Sequence, residues 1–178
     1  MAEKAEKKWE RVTQEFAPVC DENSKVLILG TAPSKKSREV GFYYGHPQNR
    51  FWKMLAAVTG AEVPQTIEEK KALLLRNHIA LHDVIHSCDI IGSSDSSIRN
   101  VEPADLERIL TVTGNIPVFC NGGTSYKLYQ KYQQKKLGIE AVQMPSTSPA
   151  NAAWKLERLV EAWKEGLLPY LEKEGEGK

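Results

Sequence analysis

The stretch "KVLILG" (25–30) is the strongest indication of the fold class. Four consecutive aliphatic residues that end on a glycine predict a short buried strand. Similar short apolar segments recur along the chain, and helical patterns separate them, as expected when the strands pair in parallel. We therefore predict an α/β fold, a three-layer α/β/α sandwich with a central, mostly parallel four-stranded sheet. The other three predicted strands are "IALHDVI" (79–85), "IPVFCNGG" (116–123) and "GIEAVQM" (138–144).

Helices are predicted between these strands. The segment "NRFWKMLAAVTG" (49–60) has apolar residues at helical spacing and ends on Gly60, a typical stop signal. The segment "TIEEKKALLLRNH" (66–78) opens with Thr66 and has Glu69 three residues later, the pattern of a capping box. Further predicted helices are "PADLERIL" (103–110) with Pro103 at its first position, "TSYKLYQKYQQKK" (124–136), and "AAWKLERLVEAWKEGLLPYLEKE" (152–174) with Trp154, Leu159 and Trp163 facing inward.

The two ends of the chain are charged. Near the N-terminus, Trp9, Val12 and Phe16 lie at helical spacing, which favours an amphipathic helix. The chain contains no repeats, low-complexity tracts or obvious linkers. The prediction is one domain over residues 1–178, with an N-terminal helix at 1–16 and a C-terminal tail at 170–178.

The composition excludes several classes of protein. A chain of 178 residues, 41% hydrophobic and 26% charged, is an ordinary globular protein. No run of 18 apolar residues and no signal-peptide pattern occur, so we expect a cytoplasmic protein without membrane contact. Cys20, Cys88 and Cys120 are far apart, which argues against a disulfide framework or a cysteine metal site. The net charge of +1 neither favours nor excludes nucleic-acid binding.

Four loops follow the predicted strands, where ligands bind in parallel sheets. The loop "GTAPS" (30–34) could hold a phosphate or be a plain turn, but it lacks the glycine patterns of nucleotide-binding loops. The loop "PSTSPAN" (145–151) offers hydroxyls and backbone amides ahead of a helix, which suits an anion or a simple helix cap. The other two loops are "GSSDSSIRN" (92–100) and "CNGGTS" (120–125).

A fifth segment, "GFYYGHPQNRFW" (41–52), crowds five aromatic residues around a histidine. It could be a structural turn or a slot for a flat ligand such as a nucleobase. His46 could move a proton, although a histidine that holds a loop is commoner. Asp95 has no second carboxylate nearby, so it forms no acid–base pair of glycosidase type. His82 and His86 are four residues apart, but the segment favours a strand over a helix and has no HExxH pattern, so no metal site is predicted.

The segments "LILGTAPSKKS" (27–37), "GFYYGHPQNRFW" (41–52) and "MPSTSPAN" (144–151) together resemble the uracil-DNA glycosylase superfamily, most closely its hypoxanthine (deoxyinosine) DNA glycosylase branch. The mismatch-specific uracil glycosylases are similar in the aromatic segment. The resemblance implies an enzyme that flips a deaminated base out of DNA and hydrolyses its N-glycosidic bond, leaving an abasic site. A glycosylase acting mainly on uracil, and a non-catalytic binder of damaged or single-stranded DNA, are the alternatives.

The resemblance also implies roles for individual residues. Tyr44 would stack on the flipped base. Asn49 has an amide donor and an acceptor, which suit the O6 and N1–H edge of hypoxanthine. Most of the superfamily has Asp or Asn in the first motif to hold the water, but Ala32 occupies that position here. The hypoxanthine branch is similar in lacking the Asp or Asn. The water would then be held by Asn49 first, by Asp95 or His46 next, or by backbone carbonyls of the "GTAPS" loop.

The implied sites complete the prediction. No cofactor and no metal are expected, because hydrolysis with water as the nucleophile should need neither. The expected partner is DNA containing deaminated bases, and the protein is expected to be a monomer. The base pocket would comprise Gly30, Thr31, Ala32, Pro33, Ser34, Tyr44, Asn49 and Asn121. DNA contacts would come from Ser146, Thr147, Ser148, Asn151, Gly123 and Lys127.

Overall fold

A computed structural model describes residues 8–92 and 94–171. Its larger sheet has four parallel strands in the order β3-β2-β6-β7, and these are the four strands that the sequence predicts. The predicted fold class is therefore confirmed. The strands in the described residues are β1 (Trp9–Thr13), β2 (Val26–Gly30), β3 (Ile79–Asp83), β4 (Ile85–Ile91), β5 (Arg99–Pro103), β6 (Val118–Asn121) and β7 (Ala141–Met144).

The helices overlap the predicted segments, except that residues Lys35–Val40, which no predicted segment covers, also form a helix, and the last helix begins at Leu156 instead of residue 152. Thr66 and Glu69 form the expected capping box, and Gly60 ends its helix in the left-handed conformation at φ 72°. The α-helices are α1 (Lys35–Val40), α2 (Phe51–Thr59), α3 (Ile67–Arg76), α4 (Leu106–Thr113), α5 (Gly123–Tyr129), α6 (Lys135–Leu137) and α7 (Leu156–Leu171), with a π-helical segment, Gln130–Gln134, joining α5 to α6. No helix among these is long and apolar enough to cross a bilayer.

Both faces of the parallel sheet are covered by helices. Alternate residues of β2 point to opposite faces, so that Ile28 packs in a core with α2, α3 and α7, whereas Leu29 packs with α4 and α5. A strand buried on both faces needs a continuous apolar run, which "VLIL" provides. The helix–sheet–helix layering is the predicted sandwich.

A second, antiparallel sheet with the order β1-β4-β5 was not predicted. The apolar pattern predicts one strand over 79–85, but the chain changes sheets at Val84, between β3 and β4. The composition of the segment 92–100 predicts a loop, but β5 begins at Arg99 and pairs with β4. Pro103 ends β5 opposite Ile85 instead of starting α4, which Asp105 caps.

The predicted N-terminal helix at 1–16 is wrong where the structure describes it. Residues Trp9–Thr13 form β1, which pairs along β4 with Val12 opposite Cys88. Backbone pairing to an available strand outweighs a weak three-residue helical pattern. Residues 1–7 lie outside the described residues. At the other end, α7 runs to Leu171, into the predicted tail of 170–178, whose remaining residues also lie outside.

Candidate active site

A cavity of about 590 Å³ opens at the carboxyl ends of β2, β3 and β6. Its size is that of a pocket for a small molecule or a single base. The loops that leave these strands line it, as expected at this edge of a parallel sheet. All eight residues predicted for the base pocket line the cavity: Gly30, Thr31, Ala32, Pro33, Ser34, Tyr44, Asn49 and Asn121.

Two stacked aromatic rings form one wall of the cavity. The ring of Tyr44 stacks on that of Phe51 with 4.1 Å between centroids and 20° between planes, and Phe51 is fully buried. Tyr44 has φ +52°, a left-handed conformation that is rare for an aromatic residue. Burial, with the nearby Asp83 carboxylate, raises the pKa of Tyr44, so its hydroxyl stays neutral. The wall is a rigid, uncharged surface.

The amide of Asn49 is already partly engaged. Its Oδ1 accepts hydrogen bonds from the Phe51 backbone N–H at 2.9 Å and from the Thr147 hydroxyl at 2.8 Å. These two bonds fix the orientation of the side chain and use its acceptor. Asn49 therefore offers the cavity a donor, its Nδ2 group. The sequence predicts Asn49 as both donor and acceptor, and the structure leaves it the role of donor.

Asn121 joins the end of β6 to the 145–151 loop. Its Nδ2 donates to the Thr147 hydroxyl at 3.0 Å, and its Oδ1 accepts from the Thr147 backbone N–H at 3.0 Å. Thr147 is 0% exposed. Its side chain is therefore placed to connect Asn121 with Asn49, and the predicted DNA contact by Thr147 does not fit this position.

Arg50 binds the backbone of the same loop. Its guanidinium donates to the backbone carbonyls of Ser148 at 2.7 Å and Asn151 at 3.2 Å, and also to those of Thr147 and Trp154. No sequence pattern indicates this role, because the four carbonyls belong to residues about a hundred positions away along the chain and every residue type has a backbone carbonyl. Arg50 therefore stabilises the loop that faces the cavity.

The remaining predicted DNA-contact residues divide into two groups. Ser146 and Ser148 line the cavity and are partly exposed, and each hydroxyl accepts a backbone N–H two residues on, at 3.1 Å. Asn151 does not line the cavity; its side chain closes the loop by donating to the Ser146 carbonyl at 3.0 Å. The last two lie on α5, also away from the cavity lining: Gly123 and the exposed Lys127.

His46 and Asp95 both line the cavity and are exposed. His46 Nδ1 accepts a hydrogen bond from the Gln48 backbone N–H at 3.1 Å, which is the loop-holding role considered above. Desolvation raises the pKa of Asp95, and a hydrogen bond with Thr124 opposes the shift. Ala32 lines the cavity too and contributes no polar side-chain atom, as the sequence indicates.

Sequence reasoning missed one carboxyl group of the cavity. Asp83 ends β3, lies beside Gly30 in the parallel register, lines the cavity and is 5% exposed. Desolvation raises the pKa of Asp83 to about 7, although a hydrogen bond from Gln14 lowers it. The available signal was the single acidic residue, Asp83, within the mostly apolar "IALHDVI" segment.

The cavity carries few charges. No lysine or arginine is among the described residues that line it. Its polar groups are amides, hydroxyls, His46 and two carboxyl groups, set beside the Tyr44 ring. Such a lining suits a flat, uncharged ligand with a polar edge, which is the chemistry of a nucleobase.

The comparison with known families agrees with this geometry. The family model of the uracil DNA glycosylase superfamily matches residues 17–167. The chain belongs to the uracil DNA glycosylase superfamily. It is accordingly a DNA glycosylase, a hydrolase of N-glycosidic bonds, and its substrate is DNA.

Individual superfamily members cover most of the chain. It is 33% identical over 144 residues to the hypoxanthine DNA glycosylase of Methanosarcina acetivorans, covering 80% of this chain and 90% of that one. It is also 33% identical over 140 residues to the hypoxanthine DNA glycosylase of Methanosarcina barkeri, covering 78% and 87%. A solution NMR structure from M. acetivorans, assigned as a uracil DNA glycosylase, is 31% identical, has a TM-score of 0.75, and matches over 90% of this chain and 98% of that one.

Proposed function

We propose that this glycosylase removes hypoxanthine from DNA, by hydrolysing the N-glycosidic bond of deoxyinosine to leave an abasic site. The observation that carries the proposal is the aromatic wall of Tyr44 on Phe51, set in the same cavity as the Asn49 amide donor. The names of the two Methanosarcina relatives support hypoxanthine as the base.

The base must leave the helix to enter the cavity, because its glycosidic carbon is unreachable in a stacked duplex. Flipping costs a few kcal/mol, and stacking on an aromatic ring returns about 1–3 kcal/mol. Tyr44 supplies that ring, and the Phe51 ring stacked on it limits its movement. The wall thus offsets the flipping cost for any flat base, and selection must come from polar groups.

Asn49 supplies one of these groups. Its Nδ2 donates to an oxygen, either on the base or of the attacking water, since its Oδ1 is occupied by Phe51 and Thr147. A donor at the base stabilises the negative charge that develops there as the bond breaks. Asn49 cannot also take the proton of the water while both bonds to Oδ1 persist.

The water therefore needs an acceptor elsewhere. Asp95 and His46 line the same cavity and remain the side-chain candidates. In the "GTAPS" loop, the Gly30 and Thr31 carbonyls already accept the backbone N–H groups of Val84 and Ile85. The carbonyls that follow them, of Ala32 and Pro33, are the backbone candidates.

The serines of the 145–151 loop bind the DNA backbone in this proposal. Ser146 and Ser148 carry partly exposed hydroxyls on a loop that Arg50 holds in place. Hydroxyls and backbone amides suit phosphate oxygens and fix position without reading sequence. Asn151 keeps the loop closed, while Lys127 and the backbone of Gly123 would contact DNA at a distance from the base.

Uracil is the second candidate base, because its O4 and N3–H edge presents the same pattern as O6 and N1–H of hypoxanthine. Duplexes with a single deoxyinosine, deoxyuridine or deoxyxanthosine, incubated with chelator and then treated with alkali, separate the candidates. We expect the fastest strand breakage at deoxyinosine under single-turnover conditions. Asn49→Ala, prepared identically, controls for a contaminating glycosylase. Breakage at deoxyuridine alone would replace hypoxanthine with uracil, and tight binding without breakage would indicate a non-catalytic binder.

A further inference from the structure

The carboxyl group of Asp83 lies on the floor of the cavity in a fixed orientation. A Cβ atom on Gly30 would lie 2.6 Å from Asp83 Oδ1 and 2.8 Å from the Tyr44 hydroxyl, so only glycine allows both side chains to cross this strand end. Asp83 is thereby held at the base of the aromatic wall. Neither Asn49 nor the water-holding candidates account for a buried acid at this position.

Gln14 determines which oxygen of Asp83 can carry a proton. The backbone N–H of Phe16 donates to Gln14 Oε1, which turns the Gln14 amide nitrogen toward Asp83. That nitrogen donates to Asp83 Oδ2. Because Oδ2 accepts this bond, the proton of the neutral acid lies on Oδ1, the oxygen that passes over Gly30.

The surroundings of Asp83 favour the neutral acid. Burial raises the pKa of both Tyr43 and Tyr44, so neither becomes charged near neutral pH. Burial lowers the pKa of His82, the preceding residue, to about 4, so it is uncharged as well. The uncharged amide of Asn121 faces the site from β6, and the titratable groups at the exposed side of the cavity are His46 and Asp95.

No lysine or arginine of the described cavity lining is available to compensate a carboxylate. A bound base would displace water and increase the cost of the charge further. A neutral carboxyl group with its proton on Oδ1 is a hydrogen-bond donor.

We propose that Asp83 is a specificity-determining residue that, in its protonated form, donates a hydrogen bond from Oδ1 to the carbonyl oxygen that deamination has placed on the flipped base. The inference rests on the proposed function and adds the feature that the cavity recognises. Deamination of adenine replaces the N6 amino group, a donor, with the O6 carbonyl, an acceptor. A fixed donor therefore accepts the deaminated base and opposes adenine, whose amino group would face it with a second donor.

The test compares Asp83→Asn with Asp83→Ala and the wild type in single-turnover cleavage of deoxyinosine duplexes. In Asp83→Asn the amide oxygen accepts the bond from Gln14, and the amide nitrogen replaces Oδ1 as a donor that does not titrate. We expect the wild-type rate to fall by up to about tenfold per pH unit above about pH 7, and the Asp83→Asn rate to stay nearly flat. Asp83→Ala should be slower than Asp83→Asn on the order of 100-fold at about pH 7.

Ionisation of the substrate affects all variants equally, so the difference between wild type and Asp83→Asn isolates the Asp83 proton. Asp105→Asn, an exposed helix cap in which asparagine serves equally well, is the matched control. An Asp83→Asn rate as low as that of Asp83→Ala, or the same pH dependence as wild type, overturns the inference. A flat profile in Asp95→Asn would assign the proton to Asp95 and overturn it too. Absence of wild-type cleavage at deoxyinosine at every pH refutes the proposed function instead.

Discussion

The wall of the cavity, Tyr44 on Phe51, and its floor, Asp83 with Gln14, bind a base by different physics. The wall stacks, accepts any flat ring, and carries no charge that changes near neutral pH. The floor offers one directed polar group whose protonation changes near neutral pH. Affinity for the base and selectivity among bases should therefore be separable by mutation, because each depends on different residues.

The largest expected effect is on the stability of the folded protein, and it comes from Asp83 in the floor. Burial raises the pKa of Asp83 from its ordinary 3.8 to about 7 in the folded protein, so the folded state binds this proton more tightly than the unfolded chain. Wild type therefore loses stability as the pH rises from about 4 to about 7, reaching about 4 kcal/mol above that range. Asp83→Asn avoids this loss.

Urea unfolding at several pH values measures the effect. Asp83→Asn should be the more stable protein above about pH 7, and its advantage should vanish toward about pH 4. The exposed-cap variant Asp105→Asn should show no such trend. An advantage for Asp83→Asn that is independent of pH would mean that the floor does not titrate in this range.

Asn49→Ala, which removes the donor beside the wall, should lower single-turnover cleavage of deoxyinosine by about 100- to 1000-fold, the usual effect of losing one preorganised donor. Because Asn49 also accepts from the Phe51 backbone and Thr147, thermal melting of the variant must accompany the rates. Thr147→Val removes one of those bonds without removing Nδ2 and serves as the comparison. Equal losses in both variants would assign Asn49 a structural role.

Tyr44→Ala should slow cleavage by about 10- to 100-fold, equally for every base that the enzyme cleaves, because the wall does not read base identity. Tyr44→Phe keeps the stack and should stay within a few-fold of wild type. A change in the ratio of deoxyinosine to deoxyuridine cleavage in Tyr44→Ala would show that the wall also selects, and the comparison with the floor would fail.

The smallest effect is expected for the two serines of the 145–151 loop. Ser146→Ala and Ser148→Ala should each weaken binding to intact and lesion-containing duplexes alike, by up to about tenfold, because phosphate contacts position the protein without reading the base. Fluorescence anisotropy with both duplexes measures this. A loss confined to the lesion duplex would move these serines from the DNA backbone to the base.

The family resemblance predicts Tyr44 and Asn49 in the pocket, but the stacking of Phe51 on Tyr44 and the floor are not predicted. Tyr44, Asn49 and Phe51 lie within eight residues of one another, and the four apolar strand segments predict the sheet edge that receives them. Asp83 and Gln14 are 69 residues apart, and their contact depends on the β1-β4-β5 sheet, which the sequence pattern concealed. The backbone carbonyls that Arg50 binds cannot be recognised in the sequence, because every residue type has one.

Removal of hypoxanthine is tested by identifying the released base. The protein is incubated with a duplex containing one deoxyinosine and one deoxyuridine, and the free bases are identified by mass spectrometry, with Asn49→Ala as the control. We expect free hypoxanthine in amounts that match the abasic sites formed, reduced by at least about 100-fold in the control. Free uracil without hypoxanthine, or no free base from a folded protein that binds the duplex, would contradict it.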